Sequence, residues 1–193
     1  MPLKRFAPTL LVTMLSSTSV LADWQLVQPS EVTFVTAKNN HLLEVHRFDQ
    51  LSGEISDDGL AKVEINLTSI DSRIPIRDQR MRDLLFEVSS FAKATIEAQL
   101  PTDLMQKLKA GSVQQVELAA TLSLHGSKEE INLKLLAVPS KDGQLIVTSL
   151  QPVLIHANDF AMTKGIHLLR DIAKLKVIAE VVPVNLTLTF TAQ

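Results

Sequence analysis

KVEINLTSI, residues 62–70, alternates along its length: Val63, Ile65 and Leu67 fall on one side, and Glu64, Asn66 and Thr68 on the other. Successive side chains of an extended chain point to opposite faces, so a period of two predicts a strand with one dry and one wet face. The pattern recurs further along. VELAATLSLH, 116–125, puts Val116, Leu118, Ala120, Leu122 and Leu124 on one face, and VNLTLTF, 184–190, does the same with Val184, Leu186, Leu188 and Phe190.

Further extended runs near 30–37, 41–55, 91–100, 131–138 and 144–157 bring the total to about eight, in meander order. Between them lie SDDG at 56–59, HGSKEE at 125–130 and SKDG at 140–143, polar segments of hairpin length whose Gly, Asp and Ser suit turns. Eight antiparallel strands can close into a barrel, which removes exposed edges and leaves an interior that is either filled by side chains or able to hold one small ligand. The predicted class is therefore all-β, an eight-stranded antiparallel β-barrel with short covering helices.

Side-chain size bears on which interior results. FAKATIEAQL, 91–100, places Ala92, Ala94, Ile96, Ala98 and Leu100 on the dry face. Alanines there either match the taper of a filled barrel or leave space. The chain has no Tyr, one Trp and seven Phe, with Phe6 near the N-terminus, so rings to plug that space are scarce and an elongated apolar cavity is favoured.

Three segments depart from the period of two. IRDQRMRDLLFE, 76–87, spaces Met81, Leu84, Leu85 and Val88 three and four apart, as one side of a short amphipathic helix, with Asp78 and Arg82 placed for an i, i+4 pair. Its Arg77, Arg80 and Arg82 read either as the solvated face of a lid or as an anion clamp. PTDLMQKLKAG, 101–111, reads as a second helix, with Thr102 or Asp103 as N-cap and Gly111 as its stop. TKGIHLLRDIAKLK, 163–176, carries Ile166, Leu169, Ile172 and Ala173 on one stripe, widened by Leu168 and Leu175, and reads as core cover or a mobile lid.

The N-terminus has Lys4 and Arg5, an apolar run from Ala7 to about Leu15, and VLA before Asp23, which is the pattern of a cleavable secretory signal over residues 1–22. Its apolar run is shorter than the roughly 18 residues a membrane span needs. The predicted organisation is a signal peptide, 1–22, and one domain, 23–193. Cleavage would remove two of the 19 basic residues and none of the 21 acidic ones, taking the formal charge from −2 to about −4, so nucleic acid is not expected as a partner. The absence of Cys removes disulfides as a source of stability. Export and this composition point to a bacterial periplasm.

No catalytic or metal site is expected. His41, His46, His125, His156 and His167 show no HExxH spacing, and no G-x-S-x-G elbow is present. No cofactor is called for, and the chain does not read as an enzyme.

In order and spacing, WQLVQPSEVTFVT, LSGEI, VEINLTSIDSRIPIRDQRMRDLLFE, ATLSLHGSKEEINLKL and IHANDFAM resemble the YceI-like family of periplasmic polyisoprenoid-binding proteins over nearly all of residues 23–193. The resemblance implies a lipocalin-like barrel whose apolar interior takes the prenyl tail of a quinone-like or other long-chain amphiphile. The chain differs from the family pattern in having Ala92 where a Pro is usual, Ala161 where a Gly is usual, and a longer, more apolar helix at 164–175.

The residues expected to line the ligand are Phe34, Val63, Ile65, Leu67, Met81, Leu85, Phe86, Phe91, Ala94, Ile96, Ala98, Leu118, Ala120, Leu122, Phe160, Leu186 and Leu188. The expected partner is a polyisoprenoid or long-chain lipid. The competing reading is an interaction module that binds another periplasmic or membrane protein through the apolar face around Leu168, Leu169 and Ile172. Transient contact with a membrane and a homodimer are both compatible with the sequence.

Overall fold

The computed structural model describes residues 22–39 and 41–193, so the expected signal peptide lies outside the described residues except for Ala22. The strands are β1 (Ala22–Lys38), β2 (Leu42–Phe48), β3 (Leu51–Ser56), β4 (Leu60–Asn66), β5 (Ile70–Asp71), β6 (Lys93–Gln99), β7 (Gln114–Leu124), β8 (Ser127–Pro139), β9 (Gln144–Ser149), β10 (Val153–His156) and β11 (Val181–Ala192). Neighbours follow the order β1-β3-β4-β6-β7-β8-β9-β11, and β11 pairs back onto β1, which closes an eight-stranded antiparallel barrel. β2 and β5 extend the sheet from β1, and β10 extends it from β11.

Two of the runs predicted as single strands are divided. The run at 41–55 breaks at Asp49 and Gln50, whose N–H groups turn to the carbonyl and Oγ of Ser69, so that β2 pairs with the C-terminal part of β1 while β3 pairs with its start. The run at 144–157 breaks before β10 at Leu150–Pro152, where proline offers no ladder donor. The stretch at 62–70 also ends early as a strand. Asn66 accepts the Thr68 N–H at 3.0 Å and starts a 3₁₀ turn over Leu67–Ser69, with Leu67 still buried inward.

β1 stays continuous through Pro29 because Ser30 supplies the hydrogen bonds its irregular register loses. Ser30 Oγ accepts the Thr189 N–H at 2.9 Å and donates to the Val27 carbonyl at 2.6 Å. The loop predicted at 125–130 shortens to two residues. His125 and Gly126 both have positive φ, 50° and 81°, and Leu124 faces Ser127, the twist-matched two-residue hairpin.

The helices are α1 (Pro75–Arg80), α2 (Thr102–Lys109) and α3 (Thr163–Ile172). α1 runs directly into a π-helical turn, Met81–Leu85, which closes with the Phe86 N–H on the Met81 carbonyl at 2.9 Å. The N-cap of α2 is Pro101, with no side-chain cap, in place of the expected Thr102 or Asp103. α2 turns Leu104, Met105 and Leu108 inward under one end of the barrel, and α3 packs against the π-turn at the other. On α3, Ile166 is buried and Leu169 half-buried, but Ile172, placed on the same predicted stripe, is 44% exposed.

Candidate functional site

The inward rows of Val63, Ile65 and Leu67 on β4, of Val116 to Leu124 on β7, and of Val184 to Phe190 on β11 converge on the barrel axis, as their alternation requires. They do not fill it. Two apolar chambers remain, of about 310 Å³ and about 80 Å³, which share Ile96, Leu133 and Leu186 in their walls. The larger one falls at the low end of the size range of small-molecule pockets.

β6 shows why the space exists. Ala94 lines the larger chamber, Ala98 the smaller, and Ile96 both, so the two small side chains sit where each chamber opens. Ala92, read as a third member of this row, is exposed and precedes the strand.

Of the expected lining residues, Phe34, Ile65, Leu67, Met81, Leu85, Phe86, Ala94, Ile96, Leu122 and Leu186 border the larger chamber. Val63, Ala98, Leu118 and Leu188 border the smaller one, together with Ile96 and Leu186. Phe91, Ala120 and Phe160 border neither. Ala120 is buried between the levels of Leu118 and Leu122. The other two serve a latch outside the chambers: His125 Nδ1–H donates to the Phe160 carbonyl at 3.1 Å, and the Phe91 ring lies against the imidazole at 4.5 Å. The Phe160 backbone carbonyl thereby ties the β7–β8 hairpin to the segment before α3, the Phe91 ring packs on the same imidazole, and the Phe160 ring itself is buried in the core.

The larger chamber also has walls that the sequence reading did not single out: Val32 and Phe48, Val153 and Ile155 on β10, and Met162 and Ile178 flanking α3. Alternation could have found Val32, which shares a face with Phe34 on β1.

Its polar lining is confined to Thr36, Lys38, His46, Arg77 and Arg80. These come from β1, β2 and α1, and their arrangement corrects the reading of the 76–87 segment. The Arg77 side chain is only 20% exposed. Its Nη1 donates to Glu44 at 2.6 Å and its Nε to Ser72 Oγ at 2.8 Å, while Lys38 pairs with the same Glu44 carboxylate. Arg77 is therefore an internal ion-pair partner, neither part of a solvated face nor a free anion clamp. Asp78 does not pair with Arg82. Its carboxylate turns inward to accept the Ser72 N–H at 2.8 Å, and Arg82 donates instead to Gln79 Oε1 at 3.1 Å.

Partial burial opposes ionisation of Glu44, but hydrogen bonds from Arg77 and Lys38 and the two positive charges outweigh it and hold its pKa down at about 2. His46 is fully enclosed, 2% exposed, with its ring 5.1 Å from that of Phe34. Burial first, and then the charges of Arg77 and Lys38 against the weaker pull of Glu44 and Asp78, lower its pKa to about 4, so the imidazole is neutral at physiological pH. Nε2 of His46 lies 2.9 Å from Thr36 Oγ1, and Nδ1 has no hydrogen-bond partner. Among the described residues no group of three or more His, Asp or Glu is placed to hold a metal ion.

This geometry gives an apolar volume with a small polar corner, suited to holding a long apolar molecule with a modest head.

The YceI-like domain signature matches residues 24–190. A polyisoprenoid binding domain from Saccharophagus degradans implicated in plant cell wall breakdown is 36% identical to this chain, covers 90% of it and 100% of its own length, and superposes with a TM-score of 0.85. BcnA of Burkholderia cenocepacia, 15% identical, shares the fold at a TM-score of 0.64, covering 83% of this chain and 95% of its own. A YceI protein of Campylobacter jejuni, 13% identical, does so at 0.55, covering 97% and 94%. No curated protein matches the sequence.

Proposed function

The chain belongs to the YceI-like domain family, and on that premise we propose that it is a non-catalytic binding protein that holds a polyisoprenoid, quinone-like or other long-chain amphiphile inside its barrel. The observation that carries this reading is the pair of apolar chambers stacked along the barrel axis and meeting at Ile96, Leu133 and Leu186. Apolar volume left without contacts lowers stability in proportion to its size, so a chain that fills it stabilises the fold. The relative from Saccharophagus degradans, described as polyisoprenoid binding and similar over its full length, supports the choice of ligand class.

The basic start, short apolar run and VLA at 20–22 support export to a periplasm, where the protein acts as a carrier. The test is organic extraction of protein purified from its native host, followed by mass spectrometry. The expected result is a stoichiometric long-chain lipid and an intact polypeptide mass beginning at Asp23. Protein that yields no lipid, and whose melting temperature is not raised by any added prenol, quinone or fatty acid, refutes the reading.

A second reading, contact with a membrane or another protein, rests on apolar side chains that face outward. Leu43 and Val45 of β2 are 68% and 55% exposed, and Leu168 and Ile172 of α3 are also open to solvent. The two readings are compatible, since a carrier must meet the source of its ligand.

A further inference from the structure

The polar corner of the larger chamber carries one unmet demand. Buried polar atoms are almost always hydrogen-bonded, and one that is not calls for a specific explanation. Lys38 and Arg77 both pair with the single Glu44 carboxylate, and Arg77 is also bound to Ser72. Asp78 is satisfied by the Ser72 N–H. Arg80 is exposed on α1 at the rim. What remains is Nδ1 of His46, in a ring that lines the chamber and is shut off from solvent.

We propose that His46, with Thr36 behind it, is the head-group site of the chamber and takes a single uncharged oxygen, a carbonyl or a hydroxyl, of an amphiphile whose chain occupies the apolar space. This rests on the reading of the barrel as an amphiphile-binding protein and adds the chemistry at the ligand's polar end. A neutral imidazole has one donor and one acceptor. When Thr36 Oγ1–H donates to Nε2, Nδ1 carries the proton and donates to a carbonyl or hydroxyl oxygen. When Nε2–H donates to Thr36, Nδ1 accepts from a hydroxyl. The Thr36 hydroxyl can rotate between these roles, so the pair serves either head.

The His46–Thr36 pair itself offers no charge to a head group. A phosphate at Nδ1 would meet a neutral imidazole and gain no ion pair from it, and one drawn instead to the excess positive charge of Lys38, Arg77 and Arg80 over Glu44 would seat its head away from His46. Burying such a charge without a dedicated partner is costly. A purely hydrocarbon ligand would leave Nδ1 unpaired and forgo the gain of that hydrogen bond.

Three probes of matched chain length separate these cases: geranylgeraniol, geranylgeranyl phosphate and the isoprenoid hydrocarbon of equal length, each measured against delipidated protein by displacement of a fluorescent fatty acid. The proposal expects the alcohol to bind about five- to tenfold more tightly than the hydrocarbon, the amount one hydrogen bond to a buried group supplies, and the phosphate to bind no more tightly than the alcohol. In His46→Phe the ratio of alcohol to hydrocarbon affinity should fall towards one, and Thr36→Val should lower it in the same direction. Wild-type protein carrying ¹⁵N-labelled histidine gives a reading that needs no variant: the His46 Nδ1 resonance should shift with the alcohol and stay in place with the hydrocarbon.

A tighter phosphate, an alcohol preference that survives in folded His46→Phe, or an Nδ1 resonance indifferent to the alcohol would each overturn the head-group assignment while leaving chain binding standing. Failure of all three probes to bind would instead strike at the amphiphile reading, and the head-group site would fall with it.

Discussion

Replacing Gly165 by Ala tests whether the cover of the larger chamber is tightly packed. Gly165 is buried in α3, and a Cβ built there would lie 2.4 Å from the Leu84 carbonyl oxygen and 2.8 Å from Leu85 Cα in the π-turn. Both obstacles are backbone atoms, which cannot rotate aside, so α3 or the π-turn must shift by roughly 1 Å to reach ordinary contact. Forcing such volume into a packed interface costs about 1–3 kcal/mol. Against this, Ala is favoured over Gly inside a helix by about 1 kcal/mol.

With the contact so short, the steric cost should lie near its upper end, leaving a net loss of about 1–2 kcal/mol. In a domain of this size that lowers the melting temperature by about 2–8 °C. Urea unfolding should show a lower midpoint with an unchanged slope, the signature of altered stability alone. Because Met81 and Leu85 on one side and Met162, Ile166 and Leu169 on the other line the chamber, separating the two elements should also speed release of a bound fluorescent fatty acid. A variant of equal stability, or one more stable by about 1 kcal/mol, would refute this, since only helix propensity would then be acting and the elements would not be in tight contact.

Ala94→Trp should leave the fold nearly as stable as the wild type, because the new ring enters the larger chamber, while displacement assays show long-chain binding lost; destabilisation beyond about 3 kcal/mol would mean that the space is already filled. Ala161 holds φ at 55°, the left-handed region that favours Gly, so Ala161→Gly should stabilise by about 1 kcal/mol or slightly less once the added chain entropy is offset; a thermal melt showing destabilisation would contradict this. Stability should fall on acidification in two windows. The pKa of His46 is depressed from 6.5 to about 4, so its contribution of up to about 3 kcal/mol is complete above pH 6.5 and lost as pH falls towards 4. Glu44, depressed from 4.5 to about 2, adds a further loss below pH 4.5. Urea unfolding as a function of pH should show the first window flattened in His46→Phe, and an unchanged slope in that variant would rule out His46 as its source.

Alternation in 62–66, 116–124 and 184–190 was enough to show which side chains share a face, and the count of runs with hairpin-length turns between them was enough to predict an eight-stranded antiparallel barrel. Ala94 and Ala98 in 91–100 favoured an underfilled interior over a tapered, filled one, and the two chambers beside them show which of the two holds. These features are local, and each is set by the two-residue repeat of an extended chain.

The polar corner was not legible in this way. LLEVHRF at 42–48 alternates too, yet it turns Val45 and Leu43 outward and Glu44, His46 and Phe48 inward, the reverse of a hydrophobic assignment. Only the tertiary structure brings Arg77 to Glu44 across 33 residues, with Lys38 on the same carboxylate, and so makes the inward face tolerable for charge. It also turns Asp78 away from Arg82, sets the Phe91 ring and the Phe160 carbonyl against His125, and divides the cavity at Ile96, Leu133 and Leu186. A periodic pattern states which residues lie together on a face. Whether that face meets the core depends on hydrogen-bond register and on partners distant in sequence, and both are decided when the barrel closes.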